Sequence, residues 1–376
     1  MNKKNRLTEV ATVFFKLGCI AFGGPAAHIA MMEEEVIHKR KWIDRQHFLD
    51  LIGVTNLIPG PNSTEMVMHC GYERAGIAGL FIAGICFIFP AVVVTGVLAW
   101  FYTSYGQLPE VAPFIFGIKP AVLAIIASAI LKLGKKALKN WEIGSIGILV
   151  LVCSLIGINE IIALLSAGVL GTLYFYTKEK IVSSPKSIIP FFLLNISTTT
   201  FIKISSLNVF WTFLKVGAIL YGSGYVLFAY LDAELVTKGL LSRSELIDAI
   251  AVGQFTPGPV LSTATFIGYQ LAGFWGAVAA TIGIFLPSFL FVLLLNPLIP
   301  KMRTSKVLRY FLDSVNIAAV AIMISVLLAM TIDTLIDWKA ICIALLSIFM
   351  IFFVKKVNAM WVVLGGAILG YILSLV

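Results

Sequence analysis

Charge is what this chain has least of: 12% of its 376 residues are Asp, Glu, Lys or Arg, against 59% hydrophobic. With a mean hydropathy of +0.98, so little charge excludes both a soluble globular domain and a disordered chain. Cysteine is scarce and odd in number. Cys19, Cys70, Cys86, Cys153 and Cys342 are scattered through apolar stretches with no metal-like spacing, which excludes a disulfide framework and leaves small buried hydrophobes. Only four histidines occur, His28, His38, His47 and His69, all in the first half. Without a third ligand at workable spacing they form no metal site. No nucleophile, acid–base set or cofactor motif converges anywhere, so the reading is of a protein that is not an enzyme and needs no cofactor. The polar start, Met1 to Glu9, leads into an apolar segment too long for a removable signal peptide and lacking a small-residue cleavage site. That segment is expected to be retained.

What the chain does have is long apolar runs. At about 20 residues per span, six segments fall in the first half, near 8–31, 48–70, 76–103, 111–131, 143–158 and 160–177, and six in the second, near 209–230, 246–269, 273–299, 308–332, 338–354 and 357–375. The two sets align. Lys16, Gly18 and Gly23 match Lys215, Gly217 and Gly222 at an offset of 199, and Arg45 and Asp50 match Arg243 and Asp248 at 198. Gly71, Tyr72, Gly76, Gly79 and Pro90 match Gly268, Tyr269, Gly273, Gly276 and Pro287 at 197. This is a duplication, divided as a first repeat (1–178), a linker (179–206) and a second repeat (207–376).

The net charge of +9 comes from basic residues in short loops, not from a patch that would bind nucleic acid. In the first copy the loop after the third segment lacks Lys and Arg, and the next holds Lys132, Lys135, Lys136 and Lys139. In the second copy the order reverses: Lys301, Arg303, Lys306 and Arg309 follow the third segment, and only Lys339 follows the fourth. Equivalent loops therefore face opposite sides. The fold class is an all-α polytopic membrane protein of two inverted-topology repeats, with about ten to thirteen membrane segments broken or re-entrant at Pro-Gly-Pro. Two crossing schemes satisfy the inversion. Either every segment spans and the stretch Ile188 to Ile202 adds one more, or each Pro-Gly-Pro segment is re-entrant and each half crosses five times.

Pro59-Gly60-Pro61 recurs as Pro257-Gly258-Pro259. Proline removes a backbone donor and glycine is a poor helix former, so each triplet opens a helix inside an apolar span. Freed backbone groups are tolerated there only under protein cover or beside a polar cavity, and a pair of such breaks points to a transport site. Asn62, Ser63 and Thr64 are good N-caps, and Ser262 and Thr263 stand in the second copy; a helix beginning there aims free N–H groups and its dipole inward, an anion site. The structural alternative is a capping box between Asn62 and Glu65. Lys16 and Lys215, intramembrane cations seven residues before Gly23 and Gly222, are substrate-binding candidates, with snorkelling the rival for Lys16. The first segment also breaks at Gly23-Gly24-Pro25, followed by His28. Coupling candidates are Glu65 and His69, four apart on one helix face, and Asp50 and Asp248, for which helix capping is favoured.

Phe15-Lys16-Leu17-Gly18, Ala21-Phe22-Gly23-Gly24-Pro25 with His28, and Pro59 through Glu65 together resemble the chromate transporter family of bacterial and archaeal inner-membrane proteins. Gln254 through Pro259 and Tyr269 are similar to that family's second domain. The resemblance covers essentially the whole chain. It implies a bidomain, multi-pass transporter that exports chromate, a tetrahedral dianion, and so confers resistance; the expected partners are that oxyanion and the bilayer, with a homodimer left open. In the second copy Gly222-Ser223-Gly224 replaces Gly-Gly-Pro and no histidine follows, so the halves are expected to differ in role. A transporter of sulfate, a carboxylate or another anion shares every physical feature read here. A channel suits inverted broken helices less well than a carrier.

Overall fold

A computed structural model describes residues 3–22, 24–106, 108–181, 205–221, 224–295, 305–354 and 357–375. The first repeat comprises α1 (Lys3–Ile20), α2 (Pro25–Glu33), α3 (Arg45–Thr55), α4 (Asn62–Tyr105), α5 (Ala112–Ala137), α6 (Trp141–Leu155) and α7 (Glu160–Ile181). The second comprises α8 (Ser206–Ile219), α9 (Leu227–Leu231), α10 (Arg243–Phe255), α11 (Thr263–Leu295), α12 (Lys306–Thr334), α13 (Trp338–Phe353) and α14 (Ala359–Ser374). A π-helical turn follows α2 at Glu34–Lys39 and another follows α9 at Asp232–Val236, so the irregularities are duplicated too. Helix α7 runs three residues into the expected linker, most of which lies outside the described residues, as does Ile188 to Ile202.

The helices α4, α5, α7, α11 and α12 are long and apolar enough to cross a membrane, and α6, α8, α13 and α14 are shorter apolar helices. Along the outer face of α4, Ile77, Phe81, Ile85, Phe89, Val93 and Val97 recur every fourth residue and are exposed, the stripe that lipid requires and water would forbid.

Neither α4 nor α11 is one straight rod. Backbone geometry leaves the helical range at Ala75–Gly76 and at Ala272–Gly273, with φ of +67° and +60° at the two glycines. Only glycine adopts that conformation without strain, which explains the matched pair in the sequence. Beyond each turn the chain doubles back, so that Gly71 packs on Gly79 and Gly268 on Gly276; in a straight helix such residues would stand roughly 12 Å apart.

Contacts between distant residues show where each arm ends. Arg74, closing the first arm of α4, donates to Glu9 of α1 at 2.7 Å, and Trp42 donates to the same carboxylate at 3.2 Å. His47 at the start of α3 stands 3.3 Å from Glu73. The stretch from α1 to Ala75 is therefore two hairpins, α1 with α2 and α3 with the first arm of α4, that enter from one face and turn at the breaks. The remaining arm of α4 and α5, α6 and α7 run from face to face.

The second repeat is arranged the other way up. Lys306 at the start of α12 pairs with Glu179 at the end of α7, and Lys139 reaches Asp313 at 2.6 Å, both on the face from which the first hairpins enter. On the far face Tyr102, near the end of α4, donates to Asp248 of α10 at 2.7 Å, and Arg243 reaches Asp333 at 2.8 Å. A pseudo-twofold relates the halves: α5 packs on α13 and α14, and α12 packs on α6 and α7.

Of the two crossing schemes, re-entry at Pro-Gly-Pro holds, but it extends to the first segment of each repeat, so the described helices cross four times in each half and not five. The expected span 8–31 is corrected to a hairpin, because the break at Gly23-Gly24-Pro25 turns the chain back instead of kinking it. This also removes a conflict of charge. Lys4, Arg6 and the Lys39–Arg45 run join Lys135, Lys136, Lys139 and Lys306 on one face, leaving Lys119, Lys238, Arg243 and Lys339 on the other.

The inversion is symmetric in topology but not in packing. Helix α10 packs on α5, α12 and α14, whereas its counterpart α3 packs chiefly on α4. Leu49 of α3 is 50% exposed and its counterpart Ile247 is 1% exposed. The first hairpins keep a core of their own, with Val10, Phe14, Phe48 and Met66, while the second hairpins merge into the main one. The first hairpins are packed more loosely against the rest of the molecule than the second.

Candidate functional site: the paired helix breaks

Each break is completed by the opposite repeat. The Gly60 N–H donates to the Leu220 carbonyl, just past the end of α8, at 2.6 Å, and the Gly258 N–H donates to the Ala21 carbonyl, just past α1, at 2.9 Å. Carbonyls at a helix C-terminus lack an intrahelical donor, and here the other copy supplies one. Both glycines hold positive φ, +141° and +91°. A Cβ at Gly60 would strike the Glu65 carboxylate and the Ser288 hydroxyl, and one at Gly258 would come within 3.0 Å of Ala91, the first copy's counterpart of Ser288.

His28 ties the two first hairpins together. Its Nε2 lies 3.1 Å from the Ala21 carbonyl and its Nδ1 3.3 Å from Ser63 Oγ. A carbonyl can only accept, so Nε2 carries the proton and Nδ1 accepts from Ser63. The ring sits edge-on to Phe87, neutral and with both nitrogens occupied. Gly24, at φ +79°, faces Tyr225 of the opposite repeat, and Pro25 opens α2. Gly23 and Gly222 lie outside the described residues.

Helix α4 begins at Asn62, but Pro61 is the capping residue and supplies no side-chain cap. The expected capping box is absent: Asn62, one position inside, donates to Asn56 at 2.6 Å, and Glu65 turns toward Gly60. In structural register Thr64 corresponds to Ser262 and Glu65 to Thr263. Both hydroxyls of the first pair, Thr64 Oγ1 and Ser262 Oγ, are buried without a partner, as are Ser288 Oγ and both Glu65 oxygens. Thr263 instead donates to the Val260 carbonyl at 2.8 Å. His69, a turn beyond Glu65, is buried with Nε2 unpartnered.

Asp50 and Asp248 do not cap helices. Asp44 caps α3, and Ser242 with Glu245 forms the capping box of α10. Asp248 is buried and holds Tyr102 at 2.7 Å and Lys119 at 3.5 Å, part of the tighter packing of the second hairpins. Asp50 accepts from Gln46 at 3.3 Å.

The two lysines diverge. Lys215 binds Glu234 at 2.5 Å, and Lys238 binds the same carboxylate. In the first copy Glu35 takes Lys39 and Arg40 instead, so Lys16, exposed a turn before the end of α1, has no ion pair among the described residues. The breaks thus gather Gly24, His28, Pro59 to Glu65 and Pro257 to Thr263, but not Lys215. Ser288, Tyr225 and Leu220 join them. The sequence offered only one signal for Ser288, its place beside Pro287, the partner of Pro90.

The chromate transporter profile matches the chain twice, over residues 8–172 and 207–371. The chromate transport protein of Cupriavidus metallidurans is 29% identical over 97% of this chain and 93% of its own length. The probable chromate transport protein of Synechococcus elongatus is 28% identical over 91% and 89%, and an uncharacterized transporter of Methanocaldococcus jannaschii is 28% identical over 99% and 96%. No solved structure matches. With one match in each of two inverted repeats, this chain belongs to the chromate transporter family.

Proposed function

We propose that the protein exports chromate across the inner (plasma) membrane by alternating access and so confers chromate resistance. The observation that carries this reading is the pair of inverted breaks, each capped by the other repeat, between hairpins packed loosely in one copy and tightly in the other. Asn62 and Ser63 in one copy and Val260 and Leu261 in the other begin their helices with N–H groups that no intrahelical carbonyl can take. With the Thr64 and Ser262 hydroxyls they form the donor set for a tetrahedral oxyanion. Lys16, without an ion pair among the described residues, is the candidate cation, and Lys215 is held by Glu234 in this conformation. The face rich in Lys and Arg is the cytoplasmic one by the positive-inside rule, so the loosely packed first hairpins stand on the side from which an exported anion would load. Names of relatives support chromate as the substrate. His28 organises the breaks and does not contact the anion as a cation.

Counterflow in proteoliposomes tests the reading, with labelled chromate and unlabelled chromate, sulfate or carboxylates as exchange partners. Saturable chromate exchange that falls at least tenfold in Lys16→Ala and in Thr64→Val with Ser262→Ala is expected. Parental rates in both variants at equal insertion would remove these residues from the site. Sulfate or a carboxylate outcompeting chromate would reassign the substrate, and flux that does not saturate would indicate a channel.

A further inference from the structure

Glu65 is fully buried in the first turn of α4, and neither carboxylate oxygen has a hydrogen-bond partner. Native proteins leave very few buried polar groups unpaired, and an ionised carboxylate is the most costly of them. The titratable or polar groups facing it are Ser288 on α11, itself unpartnered, and Tyr221 past the end of α8, within electrostatic reach. On its own helix His69 follows a turn later, and His28 is occupied by Ala21 and Ser63. No fixed cation faces it among the described residues. Yet Glu65 lies beside the helix end that is proposed to receive a dianion, where a second negative charge would repel the first.

We infer that Glu65 is a proton-binding site that must be protonated whenever an oxyanion occupies the breaks, so that one proton travels with each anion in the same direction. This rests on the oxyanion site proposed above. In the buried, unpartnered setting described here Glu65 already carries the proton, keeps it while the anion is bound, and releases it when the opposite face opens and water reaches the break. A dianion with one proton moves a single net negative charge per cycle, which an interior-negative membrane potential favours in the outward direction. The second copy adds no second proton, because Thr263 stands in the place of Glu65 and already donates to Val260.

Chromate binding to the purified full-length protein, measured calorimetrically in alkaline buffers of different protonation enthalpy where chromate is the dianion, tests this directly. The wild type is expected to take up no proton where free Glu65 is already protonated and to approach one proton per anion as pH rises, its affinity then weakening about tenfold per pH unit. Glu65→Gln, similar in shape and permanently uncharged, is expected to bind without proton uptake at any pH and with an affinity that no longer falls as pH rises. Wild-type binding whose affinity and proton uptake do not change as pH rises would overturn the inference even if Glu65→Gln fails to insert; so would an unchanged pH dependence in Glu65→Gln. A wild type that neither binds nor exchanges chromate would instead remove the oxyanion reading, and this inference with it.

Discussion

His28 bridges two broken ends with one neutral ring, and its loss would leave the Ala21 carbonyl and the Ser63 hydroxyl dependent on fewer partners. Each buried polar group stranded in this way costs roughly 1–3 kcal/mol. His28→Ala is therefore expected to lower the thermal midpoint in detergent, and His28→Gln, which offers a donor and an acceptor, to recover part of it; equal midpoints for all three proteins would show that the ring is not structural. At Gly258 the constraint is steric and conformational together, φ +91° with Ala91 Cβ in the way. Gly258→Val should reduce counterflow at least tenfold, read at matched insertion. That these residues matter was legible, since Gly-Gly-Pro and Pro-Gly-Pro interrupt apolar runs. What they touch was not, because Gly60 finds Leu220 and Gly258 finds Ala21 only after both repeats fold.

Among the elements, α3 and α10 carry the contrast that matters for transport. Arg243 ties α10 to Asp232 and Asp333, with 28% of its side chain exposed, while its counterpart Arg45 pairs with Glu33 and is 76% exposed. In a background free of native cysteines, Leu49→Cys is expected to react with a membrane-impermeant maleimide and Ile247→Cys to resist it. Adding Arg243→Ala should make Ile247→Cys reactive by loosening the second hairpins, and labelling that ignores Arg243 would show that this tie is no gate. The half-length hairpins were the least legible part of the fold. Apolar residues can cross a bilayer once or enter and return, with the same hydropathy. The choice is made by pairs such as Glu9 with Arg74, 65 residues apart, which no local pattern records. The turns at Gly76 and Gly273, by contrast, were visible as a matched glycine pair, though not as reversals.

For the whole molecule the charge pattern was the most readable feature, because inversion follows from which loops hold Lys and Arg, and the folded topology gathers those loops on one face. Fluorescent reporters placed in the loop at Lys139 and after Ser374 are expected to report the cytoplasmic and the opposite side respectively, and two reporters on one side would refute the inverted arrangement. Residues 1–181 and 205–376 expressed as separate chains should transport only when produced together, since each lacks the donor for its own helix end. The two bonds from Gly60 to Leu220 and from Gly258 to Ala21 exchange places under the same pseudo-twofold that would exchange the loosely and the tightly packed hairpins. Neither has to break when the packing swaps, so the centre can stay sealed throughout turnover. Under the alternating access proposed above, an anion could then cross without a continuous path ever opening to other ions.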